Sequence, residues 1–235
     1  MRSILLLVCF GLVATGAFAV EDPDPARFQG DFDEFAKLDK KYPAKPGGVL
    51  FLGSSTIRLW DLQQWFPELK ARNRGFGGSH ISDSVKMYDK VLKPFQPGTV
   101  VFYAGDNDIA AEKTPEQVSE DFSELLAKIR ADFPECKVIY LSIKPSAKRW
   151  ALWDEMQDAN ARIKATLDKD AHGLFVDMSD LMLGPDGKPI PHLLASDGLH
   201  LNVNGYEVWS KRVAEVLNTK VGERKAEPQA EKKAK

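Results

Sequence analysis

Val49-Leu50-Phe51-Leu52-Gly53-Ser54-Ser55 is a run of four apolar residues that breaks into a glycine and two serines. A strand with one wet face alternates apolar and polar side chains, whereas a strand covered on both faces is apolar throughout. Val138-Ile139-Tyr140-Leu141 repeats the continuous pattern. Working outward from these two, β-rich runs at 49–52, 73–76, 99–103, 138–143 and 174–177 alternate with stretches of helical periodicity. That alternation predicts a five-stranded parallel sheet with helices on both faces.

The helices carry recognisable starts and stops. Thr114-Pro115-Glu116-Gln117 offers an N-cap, a proline at the first helical position and a capping-box glutamine. Val118, Phe122, Leu125, Leu126, Ile129 and Phe133 follow at helical spacing, and Pro134 ends the run. Met156, Ile163 and Leu167 mark another helix, and Tyr206, Trp209, Val213, Val216 and Leu217 the last, with Asn202 or Asn204 as its cap. Residues 31–41, with Phe32, Phe35 and Leu38, read as a leading helix outside the sheet repeat.

In open parallel sheets, ligands bind beyond the carboxyl ends of the strands. Ser55 follows the first run, Gly78 the second and Gly105-Asp106-Asn107-Asp108 the third; Asp197 and His200 fall between the fifth run and the last helix. All of these converge on one edge. His172 precedes the fifth run and so belongs to the opposite edge, as a surface histidine.

What converges there is the equipment of a nucleophilic hydrolase. Such an enzyme needs a hydroxyl, a base to take its proton and a carboxylate to hold that base in one tautomer. Asp197-Gly198-Leu199-His200 puts an acid and an imidazole within one turn. Ser55 is the candidate nucleophile, with Ser54 a competing hydroxyl that spacing alone barely separates from it. The Ser55 amide, Gly78 and Asn107 are candidate oxyanion donors, because glycine lets a backbone amide approach an anion and an asparagine side chain can donate. His80 with Asp83 is a rival base–acid pair at the same edge, and His192 a candidate for the rim. A metal-dependent hydrolase would draw on His80, Asp83, Asp106, Asp108, His192 and His200, but no His-Glu-x-x-His spacing is present, and no Gly-x-Ser-x-Gly elbow either. No metal and no cofactor are expected.

The ends of the chain bear on where it works. Arg2, the apolar run 4–14 and Ala17-Phe18-Ala19 have the order of a secretory leader, predicting a signal peptide at 1–19 and a secreted or periplasmic protein. The run is too short for a membrane span. Removing it takes away Cys9 and leaves Cys136, read as a small packed residue. Residues 220–235 lack aromatics and are rich in Lys, Glu and Ala, which predicts a disordered basic tail after one catalytic domain at 20–219. The full chain carries a net −2; without Arg2 and the tail the body is −6, which argues against nucleic acid as a partner.

Taken together, Gly53-Ser54-Ser55, the glycine at 78 (or 77), Gly105-Asp106-Asn107-Asp108 and Asp197-Gly198-Leu199-His200 resemble, in order, the four blocks of the SGNH or GDSL-type hydrolases. The first block departs at its middle position, where Ser54 replaces the usual aspartate. The resemblance implies a three-layer α/β/α, flavodoxin-like fold, ester hydrolysis without metal, and Ser55 rather than Ser54 as nucleophile.

For the substrate, the sequence offers a small-molecule or glycan ester, with acetylated carbohydrate and lysophospholipid both open. Export argues against acyl-CoA. Trp150, Trp153 and His80 are candidate substrate contacts, the tryptophans to stack on a sugar or line an acyl groove, with packing onto the sheet as their alternative. Lys144, Lys148 and Arg149 beside them read as solvated charges, with contact to an anionic substrate as their alternative. A non-catalytic binding module on the same fold, and acyl transfer to a sugar in place of water, are the remaining function classes.

Overall fold

The computed structural model describes residues 20–43 and 45–224, so the expected leader at 1–19 and the tail beyond Arg224 lie outside the described residues. Five parallel strands, β1 (Val49–Gly53), β2 (Ala71–Gly75), β3 (Thr99–Tyr103), β4 (Lys137–Leu141) and β5 (Gly173–Val176), lie in the order β2-β1-β3-β4-β5. This is the flavodoxin-type arrangement expected from the sequence, and its order reverses beside β1 and β3, where doubly wound sheets bind ligands. Nine helices are described: α1 (Gln29–Lys41), α2 (Ser55–Arg58), α3 (Leu62–Trp65), α4 (Ile81–Lys86), α5 (Tyr88–Val91), α6 (Asp106–Ala110), α7 (Pro115–Asp132), α8 (Trp153–Leu167) and α9 (Val203–Leu217).

The continuous apolar strands explain the three layers. Along β1, β3 and β4, Leu50, Leu52, Val100, Phe102, Val138 and Tyr140 face one core with α1, α4, α5, α7 and α8. The intervening Phe51, Val101, Tyr103, Ile139 and Leu141 face a second core with α2, α3 and α9. All of these side chains are fully buried, each worth roughly 2 kcal/mol or more in apolar transfer. The leading helix docks by its aromatic stripe: Phe28 and Phe32 meet Phe76 edge-on at 5.0 and 5.5 Å.

Three expectations shift. β2 starts two residues earlier than the 73–76 run, because pairing of Val49 with Ala71 sets its register on the sheet edge. Its polar Arg72-Asn73-Arg74 hid that start; Arg74 is nonetheless buried, bonded to Asp39 with its guanidinium 4.7 Å from the Phe35 ring. β4 ends at Leu141 rather than 143, where the Ile143 amide turns away to the Asn160 side chain at 2.8 Å. The tail does not begin at 220: the Gly222 amide bonds the Trp65 carbonyl at 2.9 Å and Val221 packs on the second core. Among the described residues, no helix is long and apolar enough to cross a membrane.

Candidate active site

The turn after β1 places the serines. Gly53 has φ +141, and a Cβ there would lie 1.9 Å from the Tyr103 carbonyl oxygen, so only glycine fits. The same carbonyl accepts the Ser54 amide at 2.9 Å, which turns Ser54 inward. Ser54 is fully buried and its hydroxyl has no partner among the described residues. Ser55 follows as the first residue of α2, half-buried, with Oγ 3.0 Å from Nε2 of His200. The two hydroxyls that spacing could not separate point into different surroundings.

The imidazole arrives from the other end of the chain. Its Nδ1 lies 2.5 Å from Asp197 Oδ2, while Oδ1 accepts the backbone amides of Leu199 at 2.9 Å and His200 at 3.0 Å. The Leu199 amide, then the His200 ring, hold the Asp197 carboxyl well below the usual carboxylate range. A carboxylate on Nδ1 fixes the tautomer that leaves Nε2 free to accept from Ser55. The turn itself is closed by the Ala195 amide on the His200 carbonyl at 2.8 Å. Asn202 then caps α9, accepting from Asn204 at 2.8 Å and Gly205 at 3.1 Å. Two buried contacts seat α9 against the turn of α2: Tyr206 donates to the Thr56 carbonyl at 2.8 Å, and Trp60 donates to Ser210 at 3.0 Å. These hold Ser55 and His200, 145 positions apart, in one register.

Gly78 sits after β2 with φ +83, exposed, its amide without a partner among the described residues. Asn107, in α6 after β3, donates from Nδ2 to the Ser79 carbonyl at 3.0 Å, which ties the two loops together. A second tie runs from the Ile81 amide to Asp108 Oδ1 at 3.0 Å. Burial pushes Asp108 up to about 7. Arg149 completes this side, donating to Asp106 Oδ2 and to Asn107 Oδ1, each at 2.9 Å. Nothing in the spacing of residues ties Arg149 to Asn107. Its only signal was its position in the segment after the fourth strand, at the same edge as an acidic block.

Other sequence candidates are placed differently. His80 is buried, and burial together with Lys113 and Arg27 lowers it to about 4. Asp83 bonds the His80 backbone amide at 2.8 Å and Arg27 at 2.6 Å rather than the His80 ring, so the rival pair is a capping arrangement for α4. Its burial also removes His80 from the exposed surface a substrate would touch. His192 is exposed on a short 3-10 turn, Pro191–Leu193, whose carbonyl at 192 receives Asn202. His172 lies at the amino edge of β5, 3.4 Å from Glu135. Cys136 is buried, which pushes its thiol up to about 11. Trp150 and Trp153 stack on each other at 6.2 Å and 18°, with Lys188 4.7 Å from the Trp150 ring. Trp153 is buried and also borders a 170 Å³ cavity with Gln157, Phe175 and Asp177, while Trp150 is half-exposed. Among the described residues, no group of three or more His, Cys, Asp or Glu is arranged to hold a metal ion.

Comparison with known proteins identifies the family and the fold. The model of the GDSL-like lipase/acylhydrolase family matches residues 57–208, more than half of the chain; the match starts just past Ser55 and includes Asp197 and His200. A protein from Streptococcus pneumonia named for platelet activating factor superposes with a TM-score of 0.73 at 20% identity, over 82% of this chain and 94% of that one. A GDSL-like lipase from Bacteroides thetaiotaomicron gives 0.68 at 20% identity, over 80% and 97%. A mutant acetyl-xylooligosaccharide esterase from Geobacillus Stearmophilus gives 0.61 at 16% identity, over 77% and 99%. At such identities the likeness is one of fold. A search of curated proteins finds no match.

Proposed function

The chain belongs to the GDSL-like lipase/acylhydrolase family and is an ester-hydrolysing enzyme, and from that premise we propose that it is an exported serine esterase cleaving short-acyl, chiefly acetyl, esters of a small molecule or glycan. The observation that carries the reading is the unbroken chain Ser55 Oγ, His200 Nε2, His200 Nδ1, Asp197 Oδ2, with links of 3.0 and 2.5 Å.

In this mechanism His200 Nε2 takes the Ser55 proton as Oγ attacks the ester carbonyl, and Asp197 steadies the imidazolium. The negative charge on the former carbonyl oxygen meets the Ser55 and Gly78 amides and Asn107 Nδ2. Donors of this kind contribute about 3 kcal/mol each to the transition state. The intermediate collapses as His200 returns its proton to the leaving alcohol, giving an acyl-Ser55 ester. Water, deprotonated by the same imidazole, then releases the acid.

The acetyl-glycan preference rests on the Trp150–Trp153 stack one residue beyond Arg149, and on the named substrate of one structural neighbour. A half-exposed indole can meet a sugar ring once the Lys188 ammonium 4.7 Å from it moves aside. Export rests on the leader-like order of residues 1–19.

Two measurements test the reading. A fluorophosphonate probe should label the wild type and Ser54→Ala but not Ser55→Ala; labelling that persists in Ser55→Ala refutes the assignment, and an unlabelled wild type points to a non-catalytic module. Nitrophenyl esters of rising chain length, run beside acetylated xylo-oligosaccharides and lysophospholipids, should favour acetyl and the glycan. Preference for long chains and lysophospholipid would replace the esterase reading with a lipase one.

A further inference from the structure

Arg149 stands in the sequence as one more charge in a basic stretch, yet the structure ties up both of its terminal nitrogens. Nη1 donates to Asp106 Oδ2 and Nη2 to Asn107 Oδ1, each at 2.9 Å, and its side chain is only 17% exposed. Building on the oxyanion reading above, we propose that Arg149 is a positioning residue that fixes which end of the Asn107 carboxamide faces the reacting carbonyl.

Donors and acceptors decide the orientation. The two ends of a carboxamide have nearly the same shape, so sterics alone do not stop it turning over. Turned over, Asn107 would aim a lone pair at the oxygen that becomes negative, and a stabilising contact would become a repulsive one. Two neighbours forbid this. The Ser79 carbonyl can only accept, and it receives Nδ2 at 3.0 Å. A guanidinium can only donate, and Arg149 supplies Oδ1. One orientation satisfies both, and it leaves the second Nδ2 hydrogen for the substrate. Ser79 alone would leave Oδ1 without a donor and make the preference weaker.

Arg149 is itself held. Its charge is matched by Asp106, which is buried, and its amide lies 3.3 Å from Ser146 Oγ. The preceding Lys148 amide donates to the Gly198 carbonyl at 3.0 Å, inside the turn that carries Asp197 and His200. One short segment thus touches the oxyanion side through a side chain and the base side through its backbone. A role in gripping an anionic substrate fits less well, because the two nitrogens that would do so are already bonded. Lysine could replace the charge but not the planar two-nitrogen fork.

The test is a double-mutant cycle on kcat and KM with p-nitrophenyl acetate. Asn107→Ala should lower kcat about 10²- to 10³-fold, the usual result of losing one oxyanion donor. Arg149→Ala should lower kcat about 10- to 100-fold with KM within about threefold, since it frees the amide without removing it. In the Asn107→Ala background the Arg149 substitution should have no further effect, because the group it positions is gone. Arg149→Lys, which keeps a donor-only cation but loses the planar fork, should recover part of the loss, whereas Arg149→Met, which offers no donor, should recover none; full activity in Arg149→Met would overturn the proposal. An effect of Arg149→Ala that falls on KM, or that persists undiminished beside Asn107→Ala, would also overturn it. Should Arg149→Ala fail to fold, Arg149→Met, which keeps the aliphatic stem but offers no donor, carries the same cycle. Normal activity in Arg149→Ala beside an impaired Asn107→Ala removes this inference alone, whereas normal activity in Asn107→Ala removes the oxyanion reading with it.

Discussion

The turn that carries Asp197 and His200 and the loops that carry Gly78 and Asn107 meet at one edge of the sheet, yet their supports differ in kind. On the base side the supporting carboxylate is 41% exposed and its partners are its near neighbours in sequence, Leu199 and His200. On the oxyanion side the supports, Ser79, Asp106 and Asp108, are buried, and the contacts span 28 positions from Asn107 to Ser79 and 42 from Arg149 to Asn107. A local turn forms wherever its few residues are present, whereas a buried network exists only once the sheet has brought its parts together. The first can be altered one residue at a time; the second is coupled to folding.

The largest effects are expected at the base. His200→Ala should lower kcat/KM by about 10⁴-fold or more, and Asp197→Asn by up to about 10⁴-fold, since an amide at 197 favours the wrong imidazole tautomer. Because the Asp197 side is exposed and local, both variants should melt within a few degrees of wild type. The Asp197 carboxylate stays ionised well into acid, its pKa being held low, so its protonation should leave no step on the acid limb of the wild-type kcat/KM profile. A step on the acid limb that disappears in Asp197→Asn, or a large drop in melting temperature in that variant, would show that the base side is not the self-contained unit described.

An intermediate effect is expected at Gly78. Nothing lies within 4 Å of a Cβ built there, but φ +83 is a conformation that L residues hold at a cost of about 1–2 kcal/mol. Gly78→Ala should therefore relax the loop, displace the amide and lower kcat by roughly tenfold, with folding retained. An unchanged kcat would take the Gly78 amide out of the oxyanion group and leave Asn107 and Ser55 to do its work.

The same contrast explains which features could be read from the chain. The continuous apolar runs of β1 and β4 gave the sheet, because burial on both faces leaves a mark in every residue. The Asp197–His200 turn was visible as spacing, and the capping box at Thr114 and Gln117 formed as expected, with bonds of 2.9 and 3.2 Å. β2 was harder, since an edge strand tolerates Arg72-Asn73-Arg74 and loses the apolar signature. Ser54 and Ser55 were distinguished by one long-range bond, from the Ser54 amide to Tyr103, and that bond has no local signature. Arg149 escaped for the same reason: an arginine in a basic stretch reads as solvated until a partner 42 positions away is in view. The rival His80–Asp83 had spacing as good as the chosen pair; the burial of its ring and the turning of Asp83 to the His80 amide and to Arg27 tell them apart.

The smallest effect, and the one that separates the two sides by pH rather than by rate, concerns that buried histidine. His80 is lowered to about 4 in the fold, against about 6.5 unfolded. Between those values the unfolded chain binds the extra proton, so stability rises with pH across this window and is lost as pH falls through it, by an amount on the order of 3 kcal/mol. Asp108 acts in the opposite sense: raised to about 7 by burial, it binds a proton in the fold that the unfolded chain has released. Its contribution therefore falls as pH climbs from about 4 to about 7. The two trends offset in the wild type, whose melting temperature should change little over this range. His80→Gln removes the rising trend and leaves the falling one, so this variant should be relatively more stable near pH 4.5 than near pH 6.5, while the pH profile of kcat/KM stays as in the wild type. Melting curves across pH 4–7 beside the rate profile decide the matter: a shift of both together would mean that the base and oxyanion sides titrate as one network.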